Sequence, residues 1–390
     1  MNKGNQHDAF RSTIEKSPRL CLQQILDAIR VNQGSISFAD YMERALYTPE
    51  LGYYSGEAQK IGPQGDFVTA PEISPLFSQC IARQYEQIAE NIPDASILEI
   101  GAGSGRMAVD ILYALANNHR LPKNYWILEK SKSLAQRQKQ MLATHCPEHH
   151  NRVQWIDTLP TSGFKGMIVA NEVLDAMPVH RFQINNNISY ELRVVEDQGQ
   201  LKERAFVWEH PRLEPFIALA KSHDWPNPYR SEINFHVQGW IQDLSNCLTQ
   251  GCILLIDYGF PASEYYHPDR SMGTLICHHR HRAHTDPFVD PGLHDITAHV
   301  DFSAVAEAAQ IAGLECLGYT HQAAFLLGCG IQHLQANVNT DEKALIMQHQ
   351  ALQQLLSPAE MGELFKVIAF GREIDTPLMG FDWLDLQHKL

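Results

Sequence analysis

The stretch LEIGAGSGRMAVDIL, residues 98–112, changes character in its middle. The apolar run SILEI predicts a buried strand over residues 96–100, and the amphipathic pattern from Arg106 predicts a helix over residues 105–117. Gly101, Gly103 and Gly105 lie between them. A direct strand-to-helix turn needs positive φ or a close backbone approach, and glycine allows both without steric cost. The missing side chains leave room for a ligand at the helix N-terminus, which favours negative groups.

The chain around this turn alternates between predicted strands and helices. The predicted elements are helix 76–91, strand 96–100, helix 105–117, strand 125–129, helix 131–144, strand 153–157 and strand 166–171. Strands separated by helices imply parallel pairing through right-handed crossovers. We therefore predict an α/β fold with a doubly wound sheet, which binds its cofactor at the carboxyl ends of the strands.

The glycine spacing and the strand-end acids indicate which cofactor binds. The dinucleotide fingerprint is GxGxxG, whereas this chain reads GxGxG with Arg106 in the sixth place. Glu99 stands two residues before the turn, where a carboxylate suits an ammonium or sulfonium ligand. Glu129 ends the next strand, where an acid accepts ribose hydroxyls, and Asp157 ends the third, within reach of an adenine amino group. Each feature alone is also typical of a tight turn, a helix cap or a solvated charge, but together they favour S-adenosylmethionine.

The segment IVANEVLDAMPVHRF ends the fourth predicted strand beside the methyl group of such a cofactor. Asn171 is a cofactor-binding candidate, and Glu172 and Asp175 are catalytic candidates, because two carboxylates can hold a guanidinium. Methyl transfer requires in-line positioning, so orienting acids matter more than strong bases. Alternatively, Asn171 caps a following helix. Asp257 and Tyr258 end the fifth strand and are substrate candidates, or else a cap and a packing aromatic.

The bulk composition limits the function classes. The 390 residues are 44% hydrophobic and carry a formal charge of −14, which opposes nucleic-acid binding and favours a cationic ligand or a basic protein segment. The chain contains no apolar run near the roughly 18 residues of a membrane span. Its 8 cysteines lack CxxC spacing, which indicates reduced thiols. The polar start carries both charge signs, lacks the apolar core of a secretory signal and makes a poor case for a transit peptide, so we expect a cytoplasmic protein rather than a mitochondrial-matrix one.

The domain prediction follows from the changes in pattern along the chain. Strand periodicity without helices begins near residue 179 and predicts an antiparallel insertion that serves a substrate or partner. The predicted parts are a disordered segment 1–18, a helical cofactor-covering region 19–78, a core of 79–178 and 231–330, the insertion 179–230, and a helical C-terminal segment 331–390 with a final strand.

The stretch CHHRHRAHTDPF, with His294 and His299 beyond it, is rich in zinc-ligand side chains. The spacing matches no standard zinc site, so we predict no metal. A substrate-facing loop is the favoured interpretation, although the sequence leaves the role of residues 278–299 open.

Several motifs resemble those of the MidA-type class I methyltransferases, which are related to the mitochondrial complex I assembly factor that methylates a protein arginine. They span about residues 36–330. The matching pieces are SFADYMERALYTPELGYYS, GDFVTAPEISPLF, LEIGAGSGRMAVDIL, ANEVLDAMPVHRF, SEIN, LIDYGFP and DPFVDPGLHDITAHVDFSAVAEAA.

This resemblance implies a Rossmann-like seven-stranded sheet whose last strand is antiparallel. It also implies that the loop GDFVTAPEISP closes over S-adenosylmethionine, which makes Thr69, Glu72 and Ser74 cofactor-binding candidates; the alternative is ordinary hydrogen bonding within the loop. We predict a methyltransferase that dimethylates a protein arginine symmetrically, with a respiratory-complex subunit as a candidate acceptor. The alternatives are an assembly protein with little catalysis and an NAD-dependent oxidoreductase. The oligomeric state stays open, with a homodimer among the options.

Overall fold

The computed structural model describes residues 4–56, 68–222, 225–279, 282–337 and 342–390. The α-helices of these residues are α1 (Gly4–Val31), α2 (Phe38–Tyr47), α3 (Ala70–Ile73), α4 (Pro75–Ala89), α5 (Arg106–Asn117), α6 (Lys132–His145), α7 (Glu214–Ser222), α8 (His236–Cys247), α9 (Ala262–Tyr265), α10 (Phe302–Ile311), α11 (Gln322–Gly328), α12 (Glu342–Leu356) and α13 (Met361–Leu364).

The strands of the described residues are β1 (Ser35–Ser37), β2 (Ser96–Ile100), β3 (Tyr125–Leu128), β4 (Val153–Ile156), β5 (Phe164–Asn171), β6 (His180–Asn185), β7 (Ile188–Asp197), β8 (Gln200–Val207), β9 (Tyr229–Ile233), β10 (Leu248–Phe260), β11 (Ile276–His279), β12 (Arg282–His284), β13 (Asp295–Thr297), β14 (Val300–Asp301), β15 (Glu315–His321) and β16 (Phe365–Arg372).

The chain divides into two compact units. The first unit comprises residues 1–60, 176–236 and 263–299, and the second comprises residues 61–175, 237–262 and 300–390. The predicted insertion falls within the first unit. Residues 263–299 also belong to the first unit rather than to the predicted core. The Arg230 N–H of that unit donates a hydrogen bond to the Ser271 carbonyl, and Arg230 forms a β-bridge with Met272.

The second unit contains the predicted sheet, in the order β15-β16-β10-β5-β2-β3-β4, with β14 against the end of β10. The strands β4, β3, β2, β5 and β10 pair in parallel, and β16 runs antiparallel between β10 and β15. All five residues of β2 are buried, which agrees with the apolar Ile97, Leu98 and Ile100 in its sequence; Glu99 is the one charged residue among them. The prediction of a seven-stranded sheet whose last strand is antiparallel is confirmed.

The strand order places a topological switch point beside β2. The chain proceeds from β2 to β3 and β4 on one side, while β5 and β10 lie on the other. Ile100 pairs with Ala170, so the segments that follow β2 and β5 leave the same edge of the sheet side by side. Ligands of open α/β sheets bind at such a point.

The first unit contains an antiparallel sheet, in the order β1-β7-β6-β9, with β8 paired to β7. Helix α2 begins at Phe38 because the Ser37 hydroxyl caps it by accepting the Asp40 N–H at 3.0 Å. The strands β12, β11 and β13 form a further small sheet in the histidine-rich segment.

Two predicted segments are wrong in part. Helix α1 begins at Gly4, inside the segment predicted to be disordered; its buried stripe of Cys21, Ile25 and Ile29 anchors a helix, and extending an existing helix costs little. The predicted helical C-terminal segment 331–390 is helical only in part: α12 ends at Leu356, before Pro358, and the final strand β16 already begins at Phe365. Within the described residues, no helix is long and apolar enough to cross a membrane.

Candidate functional site

The glycine turn after β2 has the backbone conformation that its sequence predicts. Gly101, Gly103 and Gly105 have φ values of +67°, +53° and +86°, all in the left-handed region that glycine tolerates best. A Cβ on Gly101 would lie 2.9 Å from Val173 Cγ2, and one on Gly105 would lie 3.2 Å from Gln138 Cα. The turn therefore requires glycine both for its φ values and for close packing.

Glu99 places a buried carboxylate directly before this turn. The side chain is fully buried, and Oε2 accepts a hydrogen bond from the Tyr125 hydroxyl at 2.6 Å. Its Oε1 is also buried and has no hydrogen-bond partner among the described residues. Burial raises the pKa of Glu99 to about 7; the Tyr125 hydrogen bond lowers that pKa and the charge of Glu129 raises it further. A ligand N–H that reaches Oε1 would satisfy this atom and favour the ionised form.

Glu129 follows β3 and is held by the helix that begins after it. Its Oε1 accepts the Ser131 N–H at 2.8 Å, and its Oε2 accepts from Gln138 Nε2 at 2.9 Å. Burial raises the pKa of Glu129, against these hydrogen bonds. A carboxylate oxygen can accept more than one hydrogen bond, so both oxygens retain capacity for ribose hydroxyls.

Gln138 is a site residue that the sequence analysis missed. This fully buried side chain on α6 also donates to the Gly103 carbonyl at 3.1 Å and accepts from Trp155 Nε1 at 2.9 Å. It therefore ties the glycine turn to Glu129 and to β4. A glutamine within a helix carries no distinguishing pattern, and no signal in the sequence could have found it.

The predicted cofactor-covering loop is described from residue 68 onward, and its first residues, 65–67, lie outside the described part. Glu72 on α3 accepts a hydrogen bond from the Ser104 hydroxyl of the glycine turn, so the structure brings it to the turn. Thr69 occupies the N-cap position of α3 without a side-chain capping bond. Ser74 caps α4 by accepting the Leu76 N–H at 3.2 Å, which is the ordinary loop role considered as the alternative.

The segment after β5 holds Asn171 and Glu172 in a strained turn. Buried Asn171 ends the strand and donates from Nδ2 to Glu172 Oε1 at 3.0 Å, while its Oδ1 is buried with no partner in the described part of the chain. Glu172 has φ +53°, a value that is unfavourable for a non-glycine residue. No helix lies between β5 and β6, so the alternative in which Asn171 caps a helix is wrong.

Asp257, on β10, holds the turn after β5 in place through hydrogen bonds to its backbone. It is fully buried, and its Oδ2 accepts the backbone N–H groups of Val173, Leu174 and Asp175 at 3.1, 2.9 and 3.2 Å. Burial, then the charges of Asp175 and Glu172, raise the pKa of Asp257 well above its ordinary range. The prediction that Asp257 contacts substrate is corrected accordingly: it is a positioning residue.

Two further candidates lie on β10 and directly after β4, which three strands separate in the sheet. The ring of Tyr258 packs against Phe365, with ring centroids 5.5 Å apart, which matches the packing alternative. Asp157 is exposed directly after β4, and its adenine contact stays a prediction.

The comparisons with known proteins now identify the chemistry of this site. Residues 76–320 match the model of the family Methyltransf_28, described as "Putative S-adenosyl-L-methionine-dependent methyltransferase". The chain belongs to this methyltransferase family. A crystal structure of a COG1565 superfamily protein from Burkholderia thailandensis, bound to S-adenosyl-homocysteine, superimposes on this chain with a TM-score of 0.91; it is 42% identical and covers 96% of this chain and 97% of its own.

Animal relatives of this methyltransferase carry a more specific name. "Protein arginine methyltransferase NDUFAF7, mitochondrial" from Danio rerio is 28% identical over 91% of this chain and 90% of its own length. The protein of that name from Homo sapiens is 27% identical over 86% of this chain and 80% of its own. The predictions of the family, the class I methyltransferase fold and S-adenosylmethionine as cofactor are confirmed.

The residues of the switch point fit this cofactor. Glu99 Oε1 and Asn171 Oδ1 are buried acceptors on adjacent strands beside the glycine turn, and the cofactor carries an ammonium group that can donate to them. Glu129 offers a carboxylate to the ribose, and the glycines let the ligand approach the backbone. This donor and acceptor set would hold S-adenosylmethionine, which supplies a sulfonium-activated methyl group.

The histidine-rich segment of the methyltransferase forms a ring cluster in the first unit. The His279 and His294 rings stack with centroids 4.5 Å apart, and His284 Nε2 lies 2.6 Å from His294 Nδ1. Among the residues that the structure describes, no group of three or more histidine, cysteine, aspartate or glutamate side chains is placed to hold a metal ion.

Proposed function

We propose that this methyltransferase transfers the methyl group to the guanidinium of an arginine side chain in a protein substrate. The relatives named above are called protein arginine methyltransferases, and the acidic turn after β5 supports the same acceptor here. The observation that carries the proposal is the grouping of three acids at one turn: Glu172 and Asp175 follow β5, and buried Asp257 accepts the Asp175 N–H at 3.2 Å.

The electrostatics of this turn favour a cationic acceptor. Asp257 is fully buried, and the neighbouring Asp175 and Glu172 raise its pKa together with burial. Carboxylates repel each other when they are brought together in a site of low polarity. A guanidinium stays protonated at neutral pH and donates bidentate hydrogen bonds to carboxylates, so it would relieve this repulsion more fully than a neutral hydroxyl.

Glu172 and Asp175 bind the acceptor in this proposal, and Asp257 positions the turn that carries them. Glu172 and Asp175 accept N–H hydrogen bonds from the guanidinium and orient one nitrogen for in-line attack on the methyl group. One of these carboxylates would take the proton that the nitrogen loses as the new C–N bond forms and the methyl–sulfur bond breaks, which leaves S-adenosyl-homocysteine. Asp257 keeps the turn in place through its three backbone hydrogen bonds.

The test is transfer of deuterated methyl groups from S-adenosylmethionine into a lysate of cells that lack the protein, followed by hydrolysis and mass spectrometry. We expect labelled methylarginine, and at least about a tenfold loss with Glu172→Gln, the size expected when one charge-assisted hydrogen bond is removed. Glu307→Gln, an exposed charge on α10, is the matched control. Label on lysine or on small molecules would overturn the arginine assignment.

The same experiment separates the alternative of an assembly protein with little catalysis, which would bind the cofactor and label nothing. Sequencing of the labelled peptides also tests the finer predictions from the resemblance: symmetric dimethylation, and a respiratory-complex subunit as acceptor.

A further inference from the structure

The first unit contains a pocket of about 470 Å³, built entirely from residues of that unit. This volume lies within the range of small-ligand sites. We call it the Trp208 pocket. Its lining includes charged and aromatic side chains from α2, β6, β7 and the end of β8: Asp40, Glu43, His180, Glu191, Arg193 and Trp208.

The floor of the Trp208 pocket is an internally neutralised ion pair. Glu191 is 6% exposed; its Oε1 lies 2.9 Å from His180 Nδ1, and its Oε2 accepts from Arg193 Nη1 at 2.9 Å. Arg193 also donates from Nε to the Ser35 hydroxyl and from Nη2 to the Ser35 carbonyl. The charge of Arg193 is therefore compensated and its guanidinium is fixed, which leaves little to attract an anion.

The rim of the pocket is acidic. Asp40 and Glu43 are exposed and stand one turn apart on α2. Neither forms an ion pair with any described residue. With Glu191 paired to Arg193, these two carboxylates set the sign of the pocket.

Trp208 adds an aromatic wall to the acidic rim. Its ring stacks on the His180 ring, with centroids 5.7 Å apart and an interplanar angle of 26°. The neighbouring Phe235 meets the Trp208 ring edge-on at 6.0 Å. A fixed indole next to two uncompensated carboxylates is the combination that recognises a guanidinium, which stacks on aromatic faces and pairs with carboxylates.

We propose that the Trp208 pocket binds an arginine side chain of a basic polypeptide segment on a partner protein. The formal charge of −14 favours the approach of such a segment. This docking function does not rest on arginine being the methyl acceptor, because the pocket is built from other residues and recognises the side chain without reacting with it.

The probe is the peptide acetyl-Gly-Ser-Gly-Arg-Gly-Ser-Gly-amide, with citrulline in place of arginine as the uncharged comparison. The full chain, labelled with 15N, reports binding through the indole N–H resonance of Trp208, assigned with Trp208→Phe. We expect the arginine peptide to shift this resonance saturably at millimolar concentration and the citrulline peptide to leave it in place. No shift by the arginine peptide, or equal shifts by both, would overturn the proposal.

The double variant Asp40→Asn/Glu43→Gln removes the rim charges with near-isosteric side chains. We expect it to weaken arginine-peptide binding at Trp208 about fivefold, the combined effect of two partly exposed ion pairs. The control Glu307→Gln/Glu315→Gln removes two exposed charges from the second unit and should change the affinity by less than about twofold. Equal weakening of peptide binding in the rim variant and in the control would refute specific recognition. The proposal would also fall if inorganic phosphate shifted the Trp208 indole resonance and this shift persisted in the rim variant.

S-adenosyl-homocysteine binding, measured by calorimetry on the same samples, keeps the two proposals apart. If peptide binding at Trp208 fails while cofactor binding and methyl transfer persist, the docking proposal falls and the proposed function stands.

Discussion

The pKa of Glu99 predicts that cofactor binding depends on pH. Burial raises this pKa from its ordinary value of 4.5 to about 7, and Oε1 lies buried beside the glycine turn. If the cofactor ammonium binds the ionised carboxylate, its affinity follows the ionised fraction of Glu99. That fraction is about 1% at pH 5 and about 90% at pH 8 for a group with this pKa. Affinity for S-adenosyl-homocysteine should therefore fall about 100-fold between pH 8 and pH 5.

Glu99→Gln removes the titration and the charge together. We expect its affinity to be flat between pH 5 and pH 8, and about 10- to 100-fold below that of the parent at pH 8, because one hydrogen bond to a charged group contributes about 1.5–3 kcal/mol. Exposed Glu307→Gln is the control and should keep the parent's affinity and slope.

Calorimetry in buffers of different ionisation enthalpy counts the protons released. At pH 6 the parent should release about 0.9 proton on binding, and Glu99→Gln should release none from this site. Without cofactor, the free energy of unfolding changes with pH in the opposite direction from the cofactor affinity. Because the pKa of Glu99 is raised in the folded state, the folded protein becomes less stable as pH rises from 4.5 towards 7, by up to about 3 kcal/mol relative to Glu99→Gln. Affinity of the parent that does not change with pH would refute the assignment of Glu99 to the ammonium.

Three further predictions concern the residues around Glu99 and the β5 turn. Tyr125→Phe removes the hydrogen bond that lowers the pKa of Glu99, so the midpoint of the affinity profile should move up by about one pH unit; an unchanged midpoint in the calorimetric titration would contradict this. Gln138→Met should raise the dissociation constant of S-adenosyl-homocysteine about tenfold, because the Gly103 carbonyl and Glu129 lose a donor; circular dichroism checks that the fold is kept. Asp257→Asn should lower kcat/KM for the protein acceptor at least about tenfold while cofactor affinity changes less than about twofold. The reason is that the three N–H groups that bind Asp257 belong to the turn after β5, which we propose holds the acceptor. Steady-state kinetics and calorimetry that show equal losses in kcat/KM and in cofactor affinity would contradict this.

The elements with strong local signals were predicted closely. The apolar run ending at Ile100 forms β2 with the expected bounds, and α5 begins at Arg106, one residue after the third glycine. Short elements without such signals were missed, among them β9 and the strands of the histidine-rich segment. A three- to five-residue strand has too few residues to show a period, and its existence depends on the strand beside it.

Site residues at the ends of strands were predicted from the sequence, whereas roles that depend on contacts between distant parts of the chain were not. Glu99, Glu129 and Asn171 follow from their places at strand ends. Asp257 was predicted as a substrate contact, whereas it accepts hydrogen bonds from a turn more than 80 residues away in the chain. That role depends on the register between β10 and β5, which no local pattern encodes.

The sequence by itself determined the glycine turn, the order of strands and helices and the acids at the strand tips, because φ preference and side-chain periodicity are properties of neighbouring residues. The tertiary structure alone decided that Glu99 keeps an unsatisfied buried oxygen, that Gln138 joins the turn to two strands, and that α2 and β7 enclose the Trp208 pocket. Burial and hydrogen-bond satisfaction are set by segments far apart in the chain, and they exist only after those segments have packed.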